Sequence, residues 1–250
     1  MFYTNQAAFY AAEPGLPVQS FDGANLFSQT FVTQPNGLNS ATSNVVLTAG
    51  SILPGLTIST LAPANQSQAL ILDGDGPVGA ISVGNYTFGD TLVLTFAPGV
   101  LAAGENLFAN TGFGTSFAGN NTEEVFNGTT SLGSITVSNA AGGYDFIGVT
   151  STNLPITSVQ FTWDGDGDGI TFVSHIAFGT VVPNSLLVPN GVNSLKIVWP
   201  ATGNYTLLQN SNLTVGSWVT NSSPINISNG TNSVTITPSS SNLFFRLRYP

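Results

Sequence analysis

The chain has 250 residues, 42% of them hydrophobic and only 6% charged, enough to bury a large core in one or two domains and too apolar for a disordered segment. A net charge of −9 and a pI near 4.1 exclude nucleic-acid binding, which needs clustered Lys and Arg. No apolar run approaches the ~20 residues of a membrane helix.

One helix is expected, over residues 5–12, capped by Thr4 or Asn5 and stopped by Pro14-Gly15. Strand signals then recur roughly every 8 to 14 residues between Gly, Pro and Asn-Gly turns. They fall at residues 16–21, 68–72, 91–96, 132–137 and 145–149. Val159 to Trp163 alternates apolar with polar residues. Across residues 170–178 the alternation predicts one face of Ile170, Phe172, Ile176 and Phe178 and another of Thr171, Val173, His175 and Ala177. Short strands without helices between them favour antiparallel sheets. The expected fold is all-β: a jelly-roll-like β-sandwich over residues 1–182. A Pro/Asn-rich linker is expected over 183–193, then a small Ig- or fibronectin-III-like β module over 194–250. In that module Leu195, Ile197 and Trp199 alternate. The last strand sets Leu243, Phe245, Leu247 and Tyr249 against Phe244, Arg246 and Arg248.

Asp164-Gly-Asp166-Gly-Asp168-Gly169 opens like a calcium loop, since a tight turn aims several hard oxygens at one cation. Position twelve of an EF-hand counted from Asp164 is His175, which rules out that form. A β-hairpin Ca²⁺ site completed by Asp22, Asp73, Asp75 or Asp145 is the expectation, with a plain Asp-Gly turn as its alternative. Asp73-Gly74-Asp75-Gly76 repeats the theme more weakly. His175 is the single histidine and has no evident nucleophile or metal partner in sequence. Glu105 and Glu123-Glu124 could form a carboxylate pair of the glycosidase kind. Tyr86, Phe113, Tyr144, Trp163, Trp199 and Trp218 could stack on sugars, although alternation turns Trp163 and Trp199 toward the core. Asn-x-Ser/Thr sequons at Asn65, Asn85, Asn120, Asn127, Asn204, Asn212, Asn221, Asn226 and Asn229 suit a surface location. No cationic leader opens the chain, which fits a processed protein or one that begins inside a longer precursor.

Two stretches carry family resemblances. Phe2-Tyr3-Thr4-Asn5-Gln6-Ala7-Ala8-Phe9, Ser20-Phe21-Asp22-Gly23, Phe146-Ile147-Gly148-Val149-Thr150 and Ile170 to Gly179 resemble the jelly-roll domain of exported bacterial proteins of the PEP-CTERM type. That family usually carries Asp or Asn near Ser174-His175; the acid is missing here, as is the family's sorting tail. Gly203 to Gln209, Gly216-Ser217-Trp218 and Phe244-Phe245-Arg246-Leu247 resemble a small β module at the C-terminus of bacterial surface and autotransporter-like proteins. The resemblances imply a secreted or cell-surface protein, in a group that includes adhesins, matrix proteins and glycan-binding modules.

All twelve acids lie between Glu13 and Asp168, and the three bases are Lys196, Arg246 and Arg248. Head-to-tail copies could therefore meet through an acidic and a basic face. The expected function is a non-enzymatic structural subunit of an extracellular filament or surface assembly, a homopolymer. Its contacts are expected at Lys196, Arg246, Arg248, Phe244, Phe2 and Tyr3, with residues 1–12 and 243–250 as the joining segments. The alternatives are a calcium-stabilised carbohydrate-binding or adhesion module, with a glycan as partner, and a viral capsid or fibre jelly roll.

Overall fold

A computed structural model describes residues 1–27, 30–61, 68–74, 81–110, 118–139, 144–164, 170–179, 186–189, 194–200, 205–212, 218–228, 231–237 and 243–248. The chain forms two compact units, Met1–Val181 and Val182–Pro250. Both are built from antiparallel strands.

Unit 1 contains β1 (Phe2–Tyr3), α1 (Gln6–Ala12), β2 (Val18–Gln19), β3 (Phe31–Pro35), β4 (Leu38–Asn39), β5 (Leu56–Leu61), β6 (Ala69–Asp73) and β7 (Ser82–Asn85). It continues with β8 (Thr91–Phe96), β9 (Ala102–Asn110), β10 (Gly119–Asn127), β11 (Thr130–Asn139), β12 (Asp145–Thr150), β13 (Ser158–Asp164) and β14 (Ile170–Gly179). An eight-stranded sheet has the order β1-β12-β9-β14-β7-β6-β3, with β2 added against β14. A six-stranded sheet has the order β11-β10-β13-β8-β5-β4. Strands β7 to β14 pair as nested partners: β10 with β11, β9 with β12, β8 with β13 and β7 with β14. The chain crosses between sheets at each step outward from the β10–β11 hairpin. This is jelly-roll wiring, a long hairpin rolled into two packed sheets. The interior is filled by Leu70, Leu72, Val83, Leu92, Leu94, Leu107, Val125, Ile147, Val159, Phe161 and Val173, among others.

Helix α1 forms where expected. The Asn5 side chain accepts a hydrogen bond from the Ala8 N–H at 2.9 Å, satisfying one of the donors that a helix start leaves free. Its single buried residue is Phe9. Phe9 lies on the outer face of the eight-stranded sheet, above Gly104 and Gly148, which are cross-strand partners on β9 and β12. A Cβ would come within 2.9 Å of the Phe9 ring at Gly104 and 2.6 Å at Gly148. Two missing side chains thus make the socket that anchors the helix.

Strand β14 corrects the expected face assignment. A bulge between Ser174 and Ala177, with His175 at φ 50°, inserts an extra residue against β9. The alternation changes phase there. Thr171, Val173, Ile176 and Phe178 face the sandwich interior, while Ile170, Phe172 and Ala177 face outward with Phe108 and Phe9. Simple period-2 counting fails at the bulge, as it must wherever two residues oppose one.

Unit 2 contains β15 (Leu186–Pro189), β16 (Leu195–Pro200), β17 (Thr206–Asn210), β18 (Val219–Thr220), β19 (Asn226–Ser228), β20 (Thr231–Ile236) and β21 (Phe244–Arg248). Its sheets run β15-β16-β20-β19 and β18-β17-β21. Lettered A, B, C, C′, D, E and F in chain order, they read ABED and C′CF, the wiring of an immunoglobulin-like sandwich. Ile197, Trp199, Leu207, Val234 and Ile236 form its core, closed by Tyr205, Leu243, Phe245 and Leu247.

Candidate functional site

Three features gather chemistry-bearing side chains: a carboxyl pair inside unit 1, the outer face of its six-stranded sheet, and a basic-aromatic face on unit 2.

The carboxyl pair joins the two sheets of unit 1. On β9, Glu105 lies between Ala103 and Leu107, and all three point inward; on β10, Glu123 lies beside the inward Val125. Both glutamates are fully enclosed. Their carboxyls interact with each other, and none of the four carboxyl oxygens finds a hydrogen-bond donor among the described residues. Unit 1 contains no Lys or Arg at all, so neither side chain is available from its own sequence to neutralise them. A pair of buried carboxylates would repel in a medium of low dielectric. Burial, then the charge and hydrogen bond of Glu123, push the Glu105 carboxyl well above its ordinary range. Glu105 therefore keeps its proton and donates it to Glu123. Burial pushes Glu123 up to about 7, opposed by that hydrogen bond. Nearby in the same interior, Thr171 Oγ1 donates to Asn121 Oδ1 at 2.8 Å. The expected glycosidase-type pair thus involves Glu105 and Glu123 rather than Glu124. Both members are enclosed in the core, away from any surface that a glycosidic bond could reach.

The outer face of the six-stranded sheet is almost wholly hydroxyl and amide. Cross-strand rows run Ser138–Asn120–Asp164, Thr136–Thr122–Thr162 and Ser134–Glu124–Gln160, the last continuing to Val93 and Ser59. Thr122 and Thr136 share a hydrogen bond of 2.8 Å, and Ser138 donates to Asn120 at 2.6 Å. Such pairs stabilise a sheet by some tenths of a kcal/mol each, about 0.2–1. Asp164 is exposed and Glu124 partly exposed on this face.

On unit 2, register places Thr206 opposite Arg248, Leu208 opposite Arg246 and Asn210 opposite Phe244 on the outward side of the three-stranded sheet. Arg246 is exposed, and its guanidinium carbon lies 4.4 Å from the centre of the Trp218 ring. The aromatic face attracts the cation and limits its orientations. Arg248 is exposed beside it and Phe244 is half-buried. Lys196 does not join them. It alternates with the inward Ile197 on β16 and lies on the outer side of the other sheet.

The remaining expected site residues scatter. Phe2 packs against the unit 1 core, and Tyr3 meets the Phe9 ring edge-on at 5.6 Å; both belong to this unit's own packing rather than to a free joining segment. Asp22 is exposed in a turn. Asp73 is fully buried at the end of β6, opposite Phe31 and Ser82. Asp164 closes β13, and Asp145 opens β12 with burial raising its pKa. Asp75, Asp166 and Asp168 lie outside the described residues. Among the described residues no three His, Cys, Asp or Glu side chains converge as metal ligands. Tyr86 and Tyr144 are exposed.

The sequence offered Glu105 and Glu123-Glu124 as a pair but not their burial, because β9 and β10 were not expected as strands. The available signal was compositional: acids in a segment without bases can be buried only as neutral or proton-sharing groups. Comparison with protein-family models finds no match, and no curated protein is similar to the chain.

Proposed function

We propose that this protein is a structural subunit of an extracellular filament or surface assembly, polymerising head to tail through an acidic unit 1 and a basic unit 2. One observation carries the reading. The division of charge along the chain coincides with the division into compact units: all twelve acids fall in Met1–Val181 and all three bases in Val182–Pro250. Oppositely charged domains attract between copies, and a contact between unlike faces generates open chains unless its rotation closes a ring. The very low charge elsewhere and the hydroxyl-rich sheet face suit an extracellular surface. Light scattering and electron microscopy of the purified chain at low and high salt test the reading.

Calcium at Asp164, Asp166 and Asp168 is a subsidiary proposal. Asp22 lies in a turn outside that loop and Asp73 is enclosed on β6, so the turn residues would supply the carboxylates. EDTA is expected to lower the melting temperature, and Asp166→Asn to remove that sensitivity. An unchanged melting curve in EDTA leaves a plain turn.

A further inference from the structure

We infer that the two faces that meet between copies are the hydroxyl-rich outer face of the six-stranded sheet of one copy, through Glu124 and Asp164, and the Trp218–Arg246–Arg248 face of unit 2 of the next. The inference rests on the assembly reading above and assigns it a surface on each side.

Unit 1 is strongly negative by sequence, but most of its described carboxylates cannot meet a partner. Glu13, Asp73, Asp90, Glu105 and Glu123 are buried, and Asp145 has one carboxyl oxygen enclosed without a partner. That leaves Asp22, Glu124, Asp164 and, in part, Asp145, which is half-buried on the other sheet. Glu124 and Asp164 lie on one face, on adjacent strands β10 and β13 whose register is given by Asn120 opposite Asp164 and Glu124 opposite Gln160. Their neighbours are Ser, Thr, Asn and Gln, which donate and accept hydrogen bonds without adding a positive charge. A flat array of this kind can lie against another sheet face.

On the basic side, Arg246 and Arg248 are two residues apart on β21 and point to the same side. Trp218 beneath Arg246 limits its rotamers, so less side-chain entropy is lost when the guanidinium meets a carboxylate. Lys196 is on the opposite sheet of the same sandwich and is excluded from the contact. The charges are complementary, and each face belongs to a different unit, so the contact is heterologous.

The test is a charge swap in the full-length chain, read as the concentration at which polymer appears. Glu124→Arg with Asp164→Arg, and separately Arg246→Glu with Arg248→Glu, are each expected to raise that concentration by about tenfold or more, since like charges then face each other. The chain carrying all four substitutions is expected to polymerise again. That rescue cannot come from misfolded protein. Asp22→Arg and Lys196→Glu are the controls and are expected to leave assembly near wild type. If both paired variants polymerise like wild type, or if the Asp22 or Lys196 variant is the one that fails, this pairing of faces is wrong while the assembly reading stands. If wild type forms no polymer at any salt or concentration, the assembly reading falls and this inference with it.

Discussion

Glu105 and Glu123 show how one interior contact follows from a charge pattern set along the whole sequence. In a unit without Lys or Arg, a retained carboxyl proton reconciles two enclosed glutamates. The consequence is a stability that depends on pH with a definite sign. Below about pH 4.5 the folded and unfolded chains both hold these protons, and the pair costs nothing extra. As pH rises, the unfolded glutamates ionise while the folded Glu123 holds its proton until about 7, so folding stability falls across that window. A shift of this size corresponds to about 3 kcal/mol for Glu123. Glu105, raised in the same direction, adds to that loss. Glu13, Asp90 and Asp145 are also raised by burial, and each adds to the same slope. Denaturant titrations at a series of pH values are expected to show unit 1 losing stability from pH 4.5 through 7. Glu123→Gln should flatten the profile, because the amide oxygen can still accept the Glu105 proton while the side chain no longer ionises. A slope that survives Glu123→Gln unchanged would assign the titration to the other carboxyls.

Among the elements, those with strong periodicity were legible in sequence and those shaped by neighbours were not. Strand β8 spans the expected residues, and β12, β13 and β14 extend theirs by a residue or two. Helix α1 was readable because Asn5 is a strong cap and Pro14-Gly15 a strong stop. Strands β9 and β10 were not, since Ala102-Ala103-Gly104-Glu105 is small and polar and Asn120-Asn121-Thr122-Glu123-Glu124 carries no apolar alternation. Their strand character comes from pairing on both sides rather than from propensity. The bulge at His175 was equally hidden, as an inserted residue leaves no mark in composition. The Phe9 socket joins three such elements. Adding a methyl at Gly148 places it against the Phe9 ring and the neighbouring Phe146, so Gly148→Ala is expected to cost about 1–3 kcal/mol through overpacking. The thermal midpoint should drop accordingly, with a larger loss on Phe9→Ala, about 3–5 kcal/mol. A Gly148→Ala protein as stable as wild type would mean that the helix does not dock there. By the same reasoning, removing residues 1–12 takes out a core side chain, so that truncation reports on folding before it reports on assembly.

For the whole molecule, the central claim is electrostatic attraction between unlike domains. Exposed charges are screened beyond about 10 Å at 0.1 M salt and beyond about 3 Å at 1 M, so an assembly held this way should depend on ionic strength. The candidate faces were only partly legible. The sequence separated acids from bases, yet the fold was needed to show that most described acids are internal and that Lys196 and the two arginines lie on opposite sheets. The most direct measurement is electron microscopy of the native chain across a salt series. Regular filaments or sheets at low salt that disperse toward 1 M are the predicted result. Uniform monomers at every salt concentration would contradict it.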